Sequence, residues 1–413
     1  MHNRLYAALL AILSVSCVCS QRASNAGSSR LHSQPQRSAA QIQVAVAAVE
    51  PLSAPLQAAY AGGARVAATP AERALSPAVP LQLDACGNFA ANPICHQLPS
   101  NPRISSKNKA WQKLEFSGRN YFGPLNTGRL SGGTHFSDRD DGAYPLDDLR
   151  PGDPSVSNVV TCDGSSWGIN TCNGAGIEGK TIRLPVRADP AGSSDHHYSW
   201  NDYAAHGEYD FWLAAPPVAH GGTLHIGAGG FCKWGGDGTG CSGSTATNIA
   251  TSLGAIDPAL LRAGERDAHG TLGYAIAAST VCADVTYVYP ATASDGANTN
   301  DSPPCVGSTG PAARPPEGTR WFLNKSDDDI NATRNLPYVK VLLRTMDREH
   351  YGGMITDTNW AGAPGLSPAA KRGDWSFTVQ ELGQSSSDDR AVPITVDGIT
   401  LENDVEFCSN GTC

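Results

Sequence analysis

The chain lacks an apolar run of the roughly 20 residues needed to cross a bilayer. It also lacks a basic excess: Lys and Arg total 30 against 39 Asp and Glu, a formal charge of −9. Nucleic acid and anionic membrane surfaces select basic faces, so neither is an expected partner. No C-x-x-C pair or H-E-x-x-H motif offers metal-ligand spacing, and the adjacent His196 and His197 would point to opposite faces of a strand. No G-x-S-x-G elbow, phosphate-binding loop or G-x-G-x-x-G after a strand is present. No internal repeat is visible. Neither cofactor nor metal is therefore expected, and nucleophilic alternatives are thin.

What is present begins with an export signal. Arg4 precedes an apolar run from Leu5 to Val15, and Val18 and Ser20 fit cleavage before Gln21. "SVSC", ending at Cys17, offers the alternative of a lipid anchor. Residues 21–80 are rich in Ala, Ser, Gln and Pro and contain no Trp, Phe or Cys. Such a segment cannot bury enough apolar surface to order itself and reads as a linker or stalk. Residues 81–413 remain for one large β domain of an exported, extracellular or periplasmic protein.

Past the signal, the cysteines fall into five neighbouring pairs: Cys86–Cys95, Cys162–Cys172, Cys232–Cys241, Cys282–Cys305 and Cys408–Cys413. Each closes a turn-rich loop, and each is expected to be a disulfide. With 44 Gly and 28 Pro, the apolar runs are short and punctuated. Strands are expected at 180–186, 195–202, 207–214, 222–228, 271–279, 284–291, 319–323, 353–358 and 374–380, which predicts an all-β, disulfide-stapled sandwich or jelly roll. One or two short helices interrupt it. "NIATSLGAIDPALLRAG" supplies helical turns on both sides of Pro258. In "PYVKVLLRTMDREHYGG", Val339, Leu342, Leu343, Met346 and His350 share a face, with Pro337 at the start and Gly352 as C-cap.

The chemistry concentrates in "HGEYDFWLA" (206–214). As a strand it sends Glu208, Asp210 and Trp212 to one face and Tyr209, Phe211 and Leu213 to a core. Paired carboxylates near an indole suit glycan cleavage, where one acid and one base flank the bond and aromatic faces stack the sugar. An upstream strand in hairpin with this one would set Asp195, His197, Ser199 and Asn201 beside the carboxylates. Glu208, Asp210, Asp195 and His197 are the catalytic candidates. Trp212, Trp234 and Asp237 of the Gly-rich loop "FCKWGGDGTGCSG", and His269 of "ERDAHG", are the substrate-binding candidates. Asp295 and Glu317 begin or end strands that could line the same edge, although turn chemistry explains them as well.

The series "SSDHHYSW…EYDFWLA", "GGDGTG", "LRAGERDAHGTLGYAI", "VYPATASDG" and "PPEGTRWFL" resembles a family of secreted bacterial proteins, mainly actinobacterial, over about 180–360. That resemblance brings no activity with it. The E-x-D of Glu208 and Asp210 also resembles the active strand of laminarinase-like glycoside hydrolases of concanavalin type. The resemblance implies Glu208 as nucleophile and Asp210 as its assistant. The last Glu of that pattern is missing, since 212 is Trp and 213 is Leu, so Asp195, Asp237 or Asp267 would have to supply the acid. The expected function is hydrolysis of an extracellular polysaccharide or oligosaccharide. The alternatives are a polysaccharide lyase, drawing on His197, His269, Tyr198 and Arg266, or a non-catalytic carbohydrate-binding or adhesion module.

Overall fold

The computed structural model describes residues 85–117, 121–125, 144–162, 176–186, 188, 190, 196–215, 221–296, 314–358, 365–366, 369–371, 392–409 and 413. The signal, the linker, Asp195, Cys172, Cys305 and the strand expected at 374–380 lie outside them.

In chain order the helices are α1 (Ala85–Asn88), α2 (Asn108–Phe116), α3 (Pro258–Gly264), α4 (Asp327–Asn331), α5 (Pro337–Met346) and α6 (Leu401–Asp404). The strands are β1 (Tyr121–Leu125), β2 (Tyr144–Leu149), β3 (Ser155–Cys162), β4 (Thr181–Pro185), β5 (Tyr198–Asp202), β6 (Gly207–Trp212), β7 (Gly222–Ile226) and β8 (Ala228–Lys233). They continue with β9 (Ile276–Thr280), β10 (Arg320–Leu323), β11 (Gly353–Thr358), β12 (Gly365–Leu366), β13 (Ala369–Lys371), β14 (Val392–Thr395) and β15 (Val405–Phe407).

Among the described residues the fold is β-rich with short helices, and the strands form three sheets. Their orders are β14-β1-β12-β9-β11-β10-β15, β13-β2-β5-β6-β8 and β4-β3-β7. Each sheet mixes parallel and antiparallel pairs: β9 runs parallel to β11, β2 to β5 and β3 to β7, whereas β5–β6–β8 is an antiparallel meander. The five- and three-stranded sheets share one apolar core. Tyr198, Trp200 and Phe211 enter it from one side, and Val160, Ile182, Leu184, Leu224 and Ile226 from the other. Trp200 sits among three aromatic rings, Tyr209 at 4.9 Å, Phe211 at 5.1 Å and Tyr198 at 5.3 Å. Such ring pairs add to what area burial alone supplies.

A second core joins the seven-stranded sheet to the helices. Val339, Leu342, Leu343 and Met346 of α5 are buried in it as their spacing predicts, with Ile276, Trp321, Leu323, Ile355 and Phe407 from the sheet. Pro337 opens α5, but the helix closes on Asp347 rather than Gly352, which takes a positive φ of 75° in the turn beyond. Ahead of Pro258 the chain forms hydrogen-bonded turns, Leu253 N–H to Ala250 O and Ala255 N–H to Ser252 O, that do not extend into a helix; Thr251 and Ser252 donate their N–H groups to strand carboxylates. The strand expected at 284–291 is a loop with one bridge, Tyr287 to Glu317.

Three expected disulfides are present, Cys86–Cys95, Cys232–Cys241 and Cys408–Cys413. Cys162 and Cys282 are also disulfide-bonded; the cysteines expected to pair with them fall outside the described residues. Among the described residues no helix is long and apolar enough to cross a membrane.

Candidate functional site

The expected hairpin forms in the expected register, with Ser199 opposite Asp210 and Asn201 opposite Glu208. Period-2 alternation then separates the two faces. Tyr209 and Phe211 join the aromatic core, and Glu208 and Asp210 turn the other way. That second face does not open onto a cleft. Segment 244–252 covers it, and both carboxyls are 0 % exposed.

The covering segment is held by the polar row itself. Ser252 N–H donates to Glu208 Oε1 at 2.8 Å, and Thr251 N–H to Asp210 Oδ2 at 3.3 Å. Ser199 Oγ meets Thr251 Oγ1 at 3.0 Å, and His197 Nδ1 lies 3.3 Å from Ser244 Oγ. Burial, then the Asp210 charge, drives the Glu208 carboxyl well above its ordinary value. Burial also raises Asp210, against hydrogen bonds from Glu208, Ser199 and Thr251. Two such acids resist ionising together in a dry site, and the contact between them pushes Glu208 up while it pulls Asp210 down. His197 is pushed down to about 3 by burial and by His196, and stays neutral.

The other expected residues scatter. Trp212 is half-buried at the end of β6. Trp234 packs edge-on against Tyr203 at 5.1 Å. Asp237 holds the tip of the stapled loop, accepting from Thr239 N–H at 3.1 Å, Thr239 O–H at 2.9 Å and Tyr289 O–H at 3.2 Å. Tyr198 is a core residue whose Oη donates to Asp147 at 2.9 Å, so it is removed from the candidate bases. Asp295 is exposed and Glu317 fully buried, so they line no common edge.

Two features were not anticipated. The first is a ledge. Val285, Tyr287 and Tyr289 alternate along the 284–291 loop and are 54 %, 51 % and 49 % exposed. The loop beneath is pinned: Asp284 accepts from Thr286 N–H at 2.9 Å, Val288 N–H donates to Glu317 O at 2.8 Å, and Thr292 N–H to Thr247 O at 3.0 Å. "VTYVY" lies in the strand expected at 284–291, where the structure has a loop instead.

The second gathers His269 with residues from α4 and the end of α5. His269 Nδ1 lies 2.6 Å from Asp327 Oδ2, and His350 Nε2 lies 3.3 Å from both Asp327 oxygens. Asp347 hydrogen-bonds Asp327 and is pushed up to about 8, first by burial and then by that contact. Burial would raise Asp327, but hydrogen bonds from His269, Asp347 and His350 outweigh it and hold the group low. The turn carrying His269 is clamped by Arg344, which donates to Gly270 O at 3.0 Å, Asp267 O at 3.1 Å and Gly264 O at 3.2 Å. Arg266 is exposed in the same turn. The D-x-x-H of Asp347 and His350 was the local signal for this cluster.

No protein-family model, curated protein or solved structure matches the chain.

Proposed function

We propose that this is an exported carbohydrate-binding protein that holds a polysaccharide against the Tyr287–Tyr289 ledge. The observation that carries the reading is two half-exposed tyrosines, two residues apart, on a pinned loop. Two rings carried two residues apart on one loop can each meet a sugar ring of one chain. Asp237, beside Tyr289, is placed to accept a sugar hydroxyl. A surface already ordered loses little entropy on binding. The five- and three-stranded sheets, packed about one aromatic core, support a sandwich as the scaffold, and the disulfides suit an oxidising exterior.

Retention on a panel of insoluble polysaccharides tests this. Tyr287→Ala with Tyr289→Ala should abolish retention, while Trp212→Ala should leave it unchanged. Equal retention of the wild-type chain and the double variant on every matrix would sink the proposal.

A second reading, hydrolysis by Glu208 and Asp210, is favoured by their direct contact, which is how an acid–base pair is tuned. It requires segment 244–252 to lift, since no substrate reaches a fully enclosed carboxyl. Release of reducing ends that Glu208→Gln cuts at least about a hundredfold would establish it. Unsaturated products would point to the lyase alternative instead, with His269 as the accessible base.

A further inference from the structure

We propose that Asp327, Asp347 and His350, backed by His269, form a binding site for a divalent transition-metal ion of the zinc or manganese kind. One ligand atom from each of the first three lies within 4.8 Å of the others. The His350 Nε2 to Asp327 Oδ separation is 3.3 Å. The edge of a tetrahedron with bonds of about 2.0 Å is also about 3.3 Å, so this pair of donors stands where a small ion would hold it.

An independent observation is the state of Asp347. It is 0 % exposed, and no N–H donor reaches its Oδ2. Its other oxygen accepts from Glu349 N–H at 2.8 Å. A buried oxygen facing a second carboxylate is served either by a proton held between the two or by a metal ion, which would serve both. The mix of imidazole nitrogen and carboxylate oxygen suits zinc or manganese and disfavours calcium, which takes oxygen ligands.

The surroundings suit the role as well. His269, its side chain 67 % exposed, bonds Asp327 from the solvent side and orients that carboxylate, as outer partners of metal ligands do. Arg344 and Asn331 fix its turn, the latter by a 2.8 Å bond to Ala268 O. A groove of about 700 Å³, lined in part by Asn324, Arg348, Glu349 and Glu406, runs along the other side. Glu349 accepts from Asp327 N–H at 3.3 Å, so one wall of the groove adjoins the cluster.

The test uses the full chain stripped with a chelator and titrated with Zn2+, Mn2+ or Ca2+ in a calorimeter. One equivalent of zinc or manganese should bind and raise the melting temperature. Asp347→Asn and His350→Gln should each weaken that binding at least about tenfold, while His225→Gln on β7 should not. Should a variant misfold, Co2+ absorption of the wild-type chain decides the matter, since a four-coordinate site of imidazole and carboxylate ligands gives intense visible bands and hydrated Co2+ gives weak ones. Absence of a saturable equivalent, binding by calcium alone, or undiminished affinity in both variants would overturn the site.

Discussion

Among the described residues, two carboxyl pairs lie in direct contact within themselves, and they are built differently. Glu208–Asp210 lies on a strand face, closed over by segment 244–252, with main-chain N–H groups as its nearest partners. Asp327–Asp347 joins two helix ends, with two imidazoles as partners, one of them largely exposed. Both pairs have perturbed acidities, so perturbation alone does not identify a site. The partners and the route to solvent distinguish them. Backbone amides are fixed and satisfy a carboxylate permanently, so the first pair acts as a strut that binds the 244–252 segment to the sheet. Imidazoles can exchange a proton for another ligand, so the second pair is equipped to take one up.

Cutting into each pair should separate the two most widely. Glu208→Ala removes the partner of Ser252 N–H, leaves Asp210 without its carboxyl partner and opens a void. It should cost about 3–5 kcal/mol, the scale for breaking a buried polar pair from one side. Glu208→Gln keeps the shape, accepts from Ser252 and donates to Asp210, and should cost under about 1.5 kcal/mol. Denaturant unfolding of both variants checks this. A small loss for the alanine variant would mean that segment 244–252 does not depend on the strut.

Much of the strut was readable in advance and almost none of the second pair was. Alternation in "EYDFW" gave both faces of β6, and "YSWND" gave the register of its neighbour, because one face had to bury Trp200 and Phe211. What the alternation could not convey was whether the polar face met water or more protein. That depended on residues some 40 positions onward, Thr251 and Ser252. β8, "AGGFCK", was missed because glycine weakens strand propensity. Its glycines are needed by contact instead: a Cβ at Gly230 would lie 1.8 Å from Cys241 O. The helix α2, with Trp111 and Phe116 buried, was hidden among polar neighbours. The second pair draws on residues 269, 327, 347 and 350, which only the packing of α4 and α5 brings together. Local disulfides were legible because each loop is short enough for its ends to meet.

Acidity offers a finer separation within the enclosed region. Glu208 has a folded pKa raised above the ordinary 4.5. The folded state then holds a proton that the unfolded chain has lost, so its contribution is full below 4.5 and is lost as pH rises toward the folded value. His197 has the opposite sign. Its pKa falls from 6.5 to about 3, so its contribution is full above 6.5 and is lost as pH falls toward 3. Relative to Glu208→Gln, the wild-type chain should therefore lose stability as pH rises above 4.5. Relative to His197→Gln it should lose stability as pH falls below 6.5. Each slope is at most about 1.4 kcal/mol per pH unit. Parallel stability curves for either pair of proteins would show that the group is not enclosed as described.

The smallest effect is expected where the second pair meets solvent. His269 is raised by its hydrogen bond to Asp327 and by that group's charge, yet the ring stands in water and its turn is held independently by Arg344 and Asn331. His269→Gln should then change unfolding stability no more than an ordinary surface substitution does. Glutamine can still donate to Asp327, so the pair keeps a partner while losing the titrating one. The measurement that matters is a comparison of melting curves for His269→Gln and Glu208→Ala at one pH. Coincident losses would mean that the Asp327 pair is a strut like the other, and the contrast between an enclosed pair and an accessible one would fail.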